Sequence, residues 1–373
     1  MAFSLSRLYN LAIGKYPNIT QKGEGSPPPL RIGILGAAAI APRAVIYPAK
    51  MMPDKVEIYS VAARDPGRAK VFARKYSIEH THDTYQELIS DPNVDAIYIP
   101  LPNGLHYEWT MLCIEHGKPV LLEKPSSSNA EQTEKIFAAA KKNNVLVVEA
   151  FHWFYHPAFK FVKDIVSNVE EFGEIEQCES AFCITKFDRT DIRFNFALAG
   201  GSLMDVGCYP IAWIRYLIGE DPIAARSLQL TTSPDDDKID TFASVEFSFA
   251  SSNKKKAVVS CGLQTPLATM FKLGFIPQIV VTSRKKTLVF AMPNIPHLYH
   301  NISIRDLSTR KVQNQTCFEK GKEHWTTYAY QLEAFADAVK GLKSAHMYSG
   351  EDSVSNMKAI DLTYEALGLP SRV

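Results

Sequence analysis

The chain has 373 residues, more than one typical compact domain and enough for two, and 46% of them are apolar, so a sizeable core is available. Charged residues make up 22% and the formal net charge is +1, which gives no electrostatic reason for a nucleic-acid or acidic-membrane partner. Six cysteines without CxxC spacing argue against a zinc site and a disulfide framework, and no apolar run is long enough to cross a bilayer, so a cytoplasmic protein with reduced thiols is expected.

The first 18 residues hold no continuous apolar stretch of the kind a signal peptide needs, and they are poor in arginine for a mitochondrial presequence. The segment QKGEGSPPP over 21–29 reads as a linker, so residues 1–29 form an N-terminal extension and linker ahead of the main body. From Leu30 a strand–helix alternation begins. Strands are expected at 30–35, 56–63, 96–100, 119–122 and 145–149, with helices at 42–51, 66–75, 105–116 and 129–143. Such alternation implies a doubly wound parallel sheet over 30–150, covered by helices on both faces. From about 174 to 318 the pattern is richer in strands joined by turns such as Asp235-Asp236-Asp237-Lys238. Residues 151–373 are therefore expected to form an α+β domain with an open, mostly antiparallel sheet, closed by helices at 323–341 and 352–367.

The first strand runs into Gly36-Ala37-Ala38-Ala39-Ile40, a degenerate form of the glycine-rich phosphate loop. The first glycine permits the tight turn; the later positions need only be small, so that backbone N–H groups and a helix N-terminus can approach a pyrophosphate. A small-residue turn packing a helix on a strand is the plain alternative. The second strand ends Ala63-Arg64-Asp65, with Arg68 one turn on. An acidic residue at that strand end holds a ribose 2′-hydroxyl, whereas guanidinium groups pair with a 2′-phosphate, so NADP is favoured over NAD; solvated helix-end arginines, with Asp65 on the ribose, are the plain alternative. The third strand ends Pro100-Leu101-Pro102-Asn103, followed by His106. Loops at the carboxyl ends of parallel strands line the ligand crevice, so Pro100, Leu101, Asn103 and His106 are candidate cofactor contacts. Helix capping for Asn103 and a satisfied first-turn histidine for His106 are the bland alternatives.

The chemistry is expected from Glu123-Lys124-Pro125 and from the segment Gly200 to Pro210. Oxidising an alcohol requires a base for the hydroxyl proton, a group that steadies the developing alkoxide, and a hydride acceptor. Tyr209 is the candidate base. A free phenol has a pKa of about 10, and the ammonium of Lys124 is expected to lower it. Asp205, one helical turn before Tyr209, faces the same way and can orient or balance the pair. No metal is needed.

These segments resemble the Gfo/Idh/MocA oxidoreductases. The carrying features are Gly33-Ile34-Leu35-Gly36, Ala62-Ala63-Arg64-Asp65, Pro100-Leu101-Pro102-Asn103 with His106, Leu122-Glu123-Lys124-Pro125, Glu149-Ala150-Phe151 with Trp153 and His156, and Gly200-Gly201 through Pro210. The resemblance implies an NADP-binding Rossmann domain, then an α/β domain whose open sheet carries the substrate and a homodimer interface. It places the catalytic lysine on Lys124, with Glu123 beside it at the cofactor. It implies oxidation of a small sugar or diol. The first expectation is an aldose oxidised at C1, D-xylose to D-xylonolactone. Trans-1,2-dihydrodiol oxidation, aldose–aldose transhydrogenation and a non-catalytic NADP-sensing regulator are the alternatives. Relatives often read Glu-Ala-Phe-Met-Trp-Arg where this chain has Glu149-Ala150-Phe151-His152-Trp153-Phe154, so an arginine that shapes the sugar site is missing. Trp153, Tyr155 and His156 are expected to line the substrate pocket. Arg193 is expected either to reach cofactor or substrate, or to form a loop salt bridge.

Overall fold

The computed structural model describes residues 28–373 except 187, 266, 275 and 343–345, so the expected N-terminal extension lies outside the described residues up to 27. Residues 30–149 build one six-stranded sheet from β1 (Leu30–Leu35), β2 (Val56–Ala62), β3 (His80–His82), β4 (Ala96–Ile99), β5 (Val120–Leu122) and β6 (Val147–Glu149). Their spatial order is 3-2-1-4-5-6 and every neighbouring pair is parallel. β4, β5 and β6 are buried along their whole length, as strands covered on both faces must be. The covering helices are α1 (Tyr47–Met51), α2 (Pro66–Tyr76), α3 (Tyr85–Ser90), α4 (His106–Glu115) and α5 (Ala130–Asn143). Their ends follow local chemistry. The Asp65 carboxylate accepts the Gly67 N–H with Pro66 in the first turn of α2, and the Asn129 side chain accepts the Gln132 N–H to start α5. β3 and α3 escaped the sequence reading because each is only a few residues long.

The second sheet has eight strands: β7 (Ile175–Cys183), β8 (Ala224–Thr232), β9 (Asp240–Phe249), β10 (Ser252–Gly262), β11 (Gln278–Ser283), β12 (Lys286–Ala291), β13 (Asn301–Asp306) and β14 (Val312–Gln315). Their order is 14-13-12-11-7-10-9-8. All neighbours are antiparallel except the central pair β7 and β10. That parallel pair exists because the chain leaves β7 through a long excursion containing α7 (Cys208–Ile218) and returns by the hairpins β8–β9–β10. Hairpins alone therefore do not connect this sheet: α7 follows β7, and α8 (Leu267–Leu273) separates β10 from β11. α6 (Pro157–Ser167) and α7 pack on the sheet through a core containing Phe159, Trp213 and Phe290.

Two late helices tie the layers together. α9 (Thr327–Val339) buries Ala329, Leu332 and Phe335 against β1 residues such as Ile32 and Ile34, and Lys55 Nζ binds Glu333 Oε1 at 2.8 Å and Asp337 Oδ1 at 3.0 Å. α10 (Gly350–Leu367) starts from a capping box at Ser349 and Asp352, and Asp361 accepts the Ala130 N–H of α5. Beyond it, Arg372 is fully buried. Its guanidinium donates to Asp240 Oδ1 at 2.7 Å and to the Gly200 carbonyl at 2.7 Å. Asp240 Oδ2 also accepts Ser202 Oγ and the Leu203 N–H, both at 2.7 Å. This buried pair clamps the Gly200–Gly201 turn that leads to Asp205 and Tyr209. A buried carboxylate stripped of its cation costs far more than the pair contributes when intact. Arg372→Met is therefore expected to lower unfolding free energy by about 3–5 kcal/mol, with Arg372→Lys less severe, as read by denaturant melts.

Candidate active site

The order of the parallel sheet reverses between β1 and β4, and the loops leaving their carboxyl ends open a crevice there. β1 runs into Gly36, whose φ of +112° is a left-handed conformation; a Cβ added there would lie 3.1 Å from the Leu101 side chain. Ala37, Ala38, Ala39 and Ile40 follow, partly exposed, and lead into a π-helical turn over Pro42–Ile46 that continues as α1. β4 delivers Pro100, Leu101 and Asn103, and β5 delivers Glu123 and Lys124, joined to Pro125 by a cis peptide bond.

The other wall comes from the second layer. Gly201 has φ +126°, and any Cβ there would overlap Asp240 Oδ1, so the clamp described above demands glycine at this turn. The chain then winds through a π-helical turn, Leu203–Gly207, into α7. Pro210 has no N–H to extend a regular ladder back into that turn. The result places Asp205 and Tyr209 on the same wall, as their spacing suggested. Together the two walls bound a cleft of about 460 Å³.

Asp205 sits at its centre. Lys124 Nζ donates to the Asp205 carbonyl at 2.7 Å and lies 3.4 Å from Oδ1. Arg193 Nε donates to Oδ2 at 2.6 Å and its Nη1 pairs with Asp191 at 3.0 Å. Arg193 thus makes the loop salt bridge while lining the cleft. Burial pushes the Asp205 carboxyl up, but Lys124 and Arg193 together outweigh it and hold it below the usual carboxylate range. Burial likewise disfavours the Lys124 ammonium, and Asp205 more than restores it.

Tyr209 lies beside this pair, with Lys124 Nζ 5.3 Å from its ring centroid. The expectation that Lys124 lowers the phenol's pKa is not met. Burial pushes it well above 10, with Tyr328, Cys208, Glu123 and Asp205 acting in the same direction. The lysine's charge is already matched by Asp205, so Tyr209 stands as a neutral phenol. Its hydroxyl lies 3.3 Å from His152 Nε2.

The sequence-derived candidates divide into three groups. Ala38, Ala39, Ile40, Pro100, Leu101 and Asn103 line the cleft from the first layer, as do Glu123 and Lys124; Arg193, Asp205 and Tyr209 line it from the second. Asn103 is not a helix cap, since its amide donates to the Ala199 carbonyl at 3.1 Å and ties the two walls together. Glu123 is buried, with Oε1 accepting the Tyr98 hydroxyl at 2.7 Å. A second group flanks the cleft. Ala63, Arg64 and Arg68 sit at the same end of the sheet as Gly36, the two arginines exposed, while Asp65 is occupied as the cap of α2.

The third group requires correction. His106 is fully buried, its ring nitrogens each 2.8 Å from a carbonyl oxygen, of Pro125 and of Leu101. It staples the loops after β4 and β5 and does not face the cleft. Trp153, Tyr155 and His156 do not line it either. Trp153 is fully buried against Phe159 and Trp213, the Tyr155 hydroxyl is buried, and His156 Nδ1 accepts the Ala158 N–H to cap α6. The cause is the tight helical turn His152–Tyr155, which aims His152 at Tyr209 and the next three side chains elsewhere. Sequence reasoning missed His152 by one residue. It also missed Tyr328 and Asn294, which reach the cleft from segments with no motif of their own.

Three comparisons with known proteins fit this geometry. Residues 30–151 match the model of the Gfo/Idh/MocA oxidoreductase family with its NAD-binding Rossmann fold, and residues 159–284 match the Gfo/Idh/MocA C-terminal domain. A D-xylose 1-dehydrogenase (NADP(+)) from Haloferax volcanii is 30% identical over 338 residues, which cover 90% of this chain and 97% of that protein. A dTDP-3,4-didehydro-2,6-dideoxy-alpha-D-glucose 3-reductase from Saccharopolyspora spinosa is 36% identical over 190 residues; there the match spans 51% of this chain and only 56% of the relative. Among solved structures, the 3-ketoreductase KijD10 from Actinomadura kijaniata, in complex with NADP and TDP-benzene, superposes with a TM-score of 0.78 at 26% identity, covering 91% of this chain and 98% of that one. Two domain matches, a full-length relative and a crevice built for a dinucleotide agree: this chain belongs to the Gfo/Idh/MocA family of oxidoreductases.

Proposed function

We propose that the chain is an NADP-dependent dehydrogenase that oxidises a sugar hydroxyl, with the C1 hydroxyl of D-xylose as the first candidate and D-xylonolactone as product. The observation that carries this reading is the meeting of Lys124, from the end of a parallel strand, with Asp205 and Tyr209, from the helical segment of the second layer, in one cleft at the switch point of the parallel sheet. The full-length match to a D-xylose 1-dehydrogenase supports the substrate class.

The residues present suit the cofactor. Gly36, whose position a side chain would crowd, and the small Ala37–Ala39 let a pyrophosphate approach the backbone. Arg64 and Arg68, exposed beside them, suit a 2′-phosphate. Pro100, Leu101, Asn103 and Glu123 would border the ribose and nicotinamide. Bound there, NADP supplies the hydride acceptor.

The chain's own part is proton handling and orientation. Lys124, held as an ammonium by Asp205, donates to the substrate hydroxyl oxygen and steadies the charge that develops on it. Tyr209 receives the hydroxyl proton. A neutral phenol can do so only as it passes its own proton on.

Turnover of D-xylose, D-glucose and a cyclic trans-diol, each with NADP and with NAD, tests the assignment. Reduction of NADP by D-xylose is expected, and Tyr209→Phe is expected to lower kcat by about 10²–10⁴-fold while NADP affinity is kept. Turnover of the trans-diol alone would move the activity to diol oxidation. NADP binding without turnover on any of the three would favour a regulator. Separately, replacing both Arg64 and Arg68 by alanine is expected to weaken NADP by about tenfold or more and to leave NAD unchanged, as read by cofactor titration.

A further inference from the structure

We propose that His152, Thr327 and His297 form a buried proton relay that carries the phenol's proton away from Tyr209; the proposal rests on the dehydrogenase reading above. The relay assigns a direction to each hydrogen bond in turn. The Thr327 backbone N–H lies 3.3 Å from His297 Nδ1, and a backbone N–H only donates, so Nδ1 carries a lone pair. The Thr327 hydroxyl lies 3.1 Å from the same Nδ1, which has no proton to give, so along this contact the hydroxyl is the donor. With its proton turned to His297, Oγ1 accepts from His152 Nδ1 at 2.8 Å. His152 is then the Nδ1–H tautomer, and its Nε2 lone pair faces the Tyr209 hydroxyl at 3.3 Å, which must donate. That last distance is long for such a bond, as catalytic contacts often are before substrate closes the site.

His152, Thr327, His297 and Tyr209 are all buried. The His152 ring lies on Tyr328 with centroids 4.0 Å apart. Thr327 is the first residue of α9, and His297 lies in the segment between β12 and β13. The relay thus links three stretches of chain that carry no shared motif.

The step balances. As the substrate O–H breaks, its proton joins Tyr209 Oη. The Tyr209 proton moves to His152 Nε2, the His152 Nδ1 proton to Thr327 Oγ1, and the Thr327 hydroxyl proton to His297 Nδ1. One proton enters and one arrives at His297, which ends as the imidazolium, while neither Tyr209 nor His152 ends charged. The groups around His152 are Tyr209, Tyr328 and Thr327, with the cations Lys124 and Arg43 near enough to act on it. Burial, with those two cations adding to it, pushes the His152 imidazolium down to about 3, so a proton does not rest there and must pass through.

Two measurements test the relay. In the whole protein labelled with ¹⁵N-histidine, imidazole nitrogen shifts are expected to show His152 as the Nδ1–H tautomer, its signals identified by their loss in His152→Phe. The Nε2–H tautomer would overturn the proposal, whether or not any substrate is turned over. In kinetics, Thr327→Val keeps the backbone N–H and the shape but removes the hydroxyl. It is expected to cut kcat for oxidation by about 10²-fold with little change in KM, and to make kcat climb with pH toward phenol ionisation where the wild type stays level. His152→Phe is expected to do the same. Wild-type kcat and a level pH profile in Thr327→Val would overturn the relay and leave the dehydrogenase reading standing.

Discussion

The architecture of the cleft depends on one carboxylate. Asp205 binds an ammonium that arrives from the parallel sheet and a guanidinium that arrives from its own layer. The Lys124 and Asp205 side chains are only 15% and 14% exposed, so neither charge is tolerable alone. Their pairing fixes the distance between the two walls and keeps Lys124 charged at the cleft. A carboxyl whose folded-state pKa is held below its unfolded value of about 4 stabilises the fold above that pH, and the contribution fades as pH falls through the folded value. For Asp205 the direction is downward, so this contribution to holding the two walls together is present across the neutral range and is lost as pH falls below the usual carboxylate range.

The same pairing decides the state of the phenol. A lysine free to face Tyr209 would draw the hydroxyl toward phenolate; a lysine matched by Asp205 leaves it neutral, and burial keeps it so. Proton acceptance by Tyr209 then needs an exit for its own proton, and the one ring nitrogen at its hydroxyl belongs to His152 among the described hydrogen bonds. The Arg372–Asp240 clamp acts further back. It holds the Gly200–Gly201 turn from which the π-helical turn and α7 project Asp205 and Tyr209.

Much of this was legible in the sequence where short-range physics decides. β1, β2, β4, β5 and β6 announce themselves as apolar runs between helical periods, and Asp65-Pro66 and Asn129 mark helix starts. Lys124, Asp205 and Tyr209 could be found because strand ends and one helical turn place them. What the sequence hid depends on distant contacts or on one residue of rotation. The parallel pairing of β7 with β10 requires knowing where the chain returns after α7. The return of α9 to β1 joins segments from opposite ends of the chain. The fixing of Asp240 by Arg372 spans 132 residues. In Phe151-His152-Trp153 the aromatic residue looked like the pocket wall, yet a tight turn buries Trp153 and aims the histidine at the phenol.

The most direct test of the central claim is a crystal structure of the protein with NADP and D-xylose bound. Lys124 Nζ and Tyr209 Oη are expected both within hydrogen-bond distance of one sugar hydroxyl oxygen, with the Lys124–Asp205 contact intact. A sugar bound away from both groups, or seated in the separate hollow of about 430 Å³ beside Arg215, would contradict it.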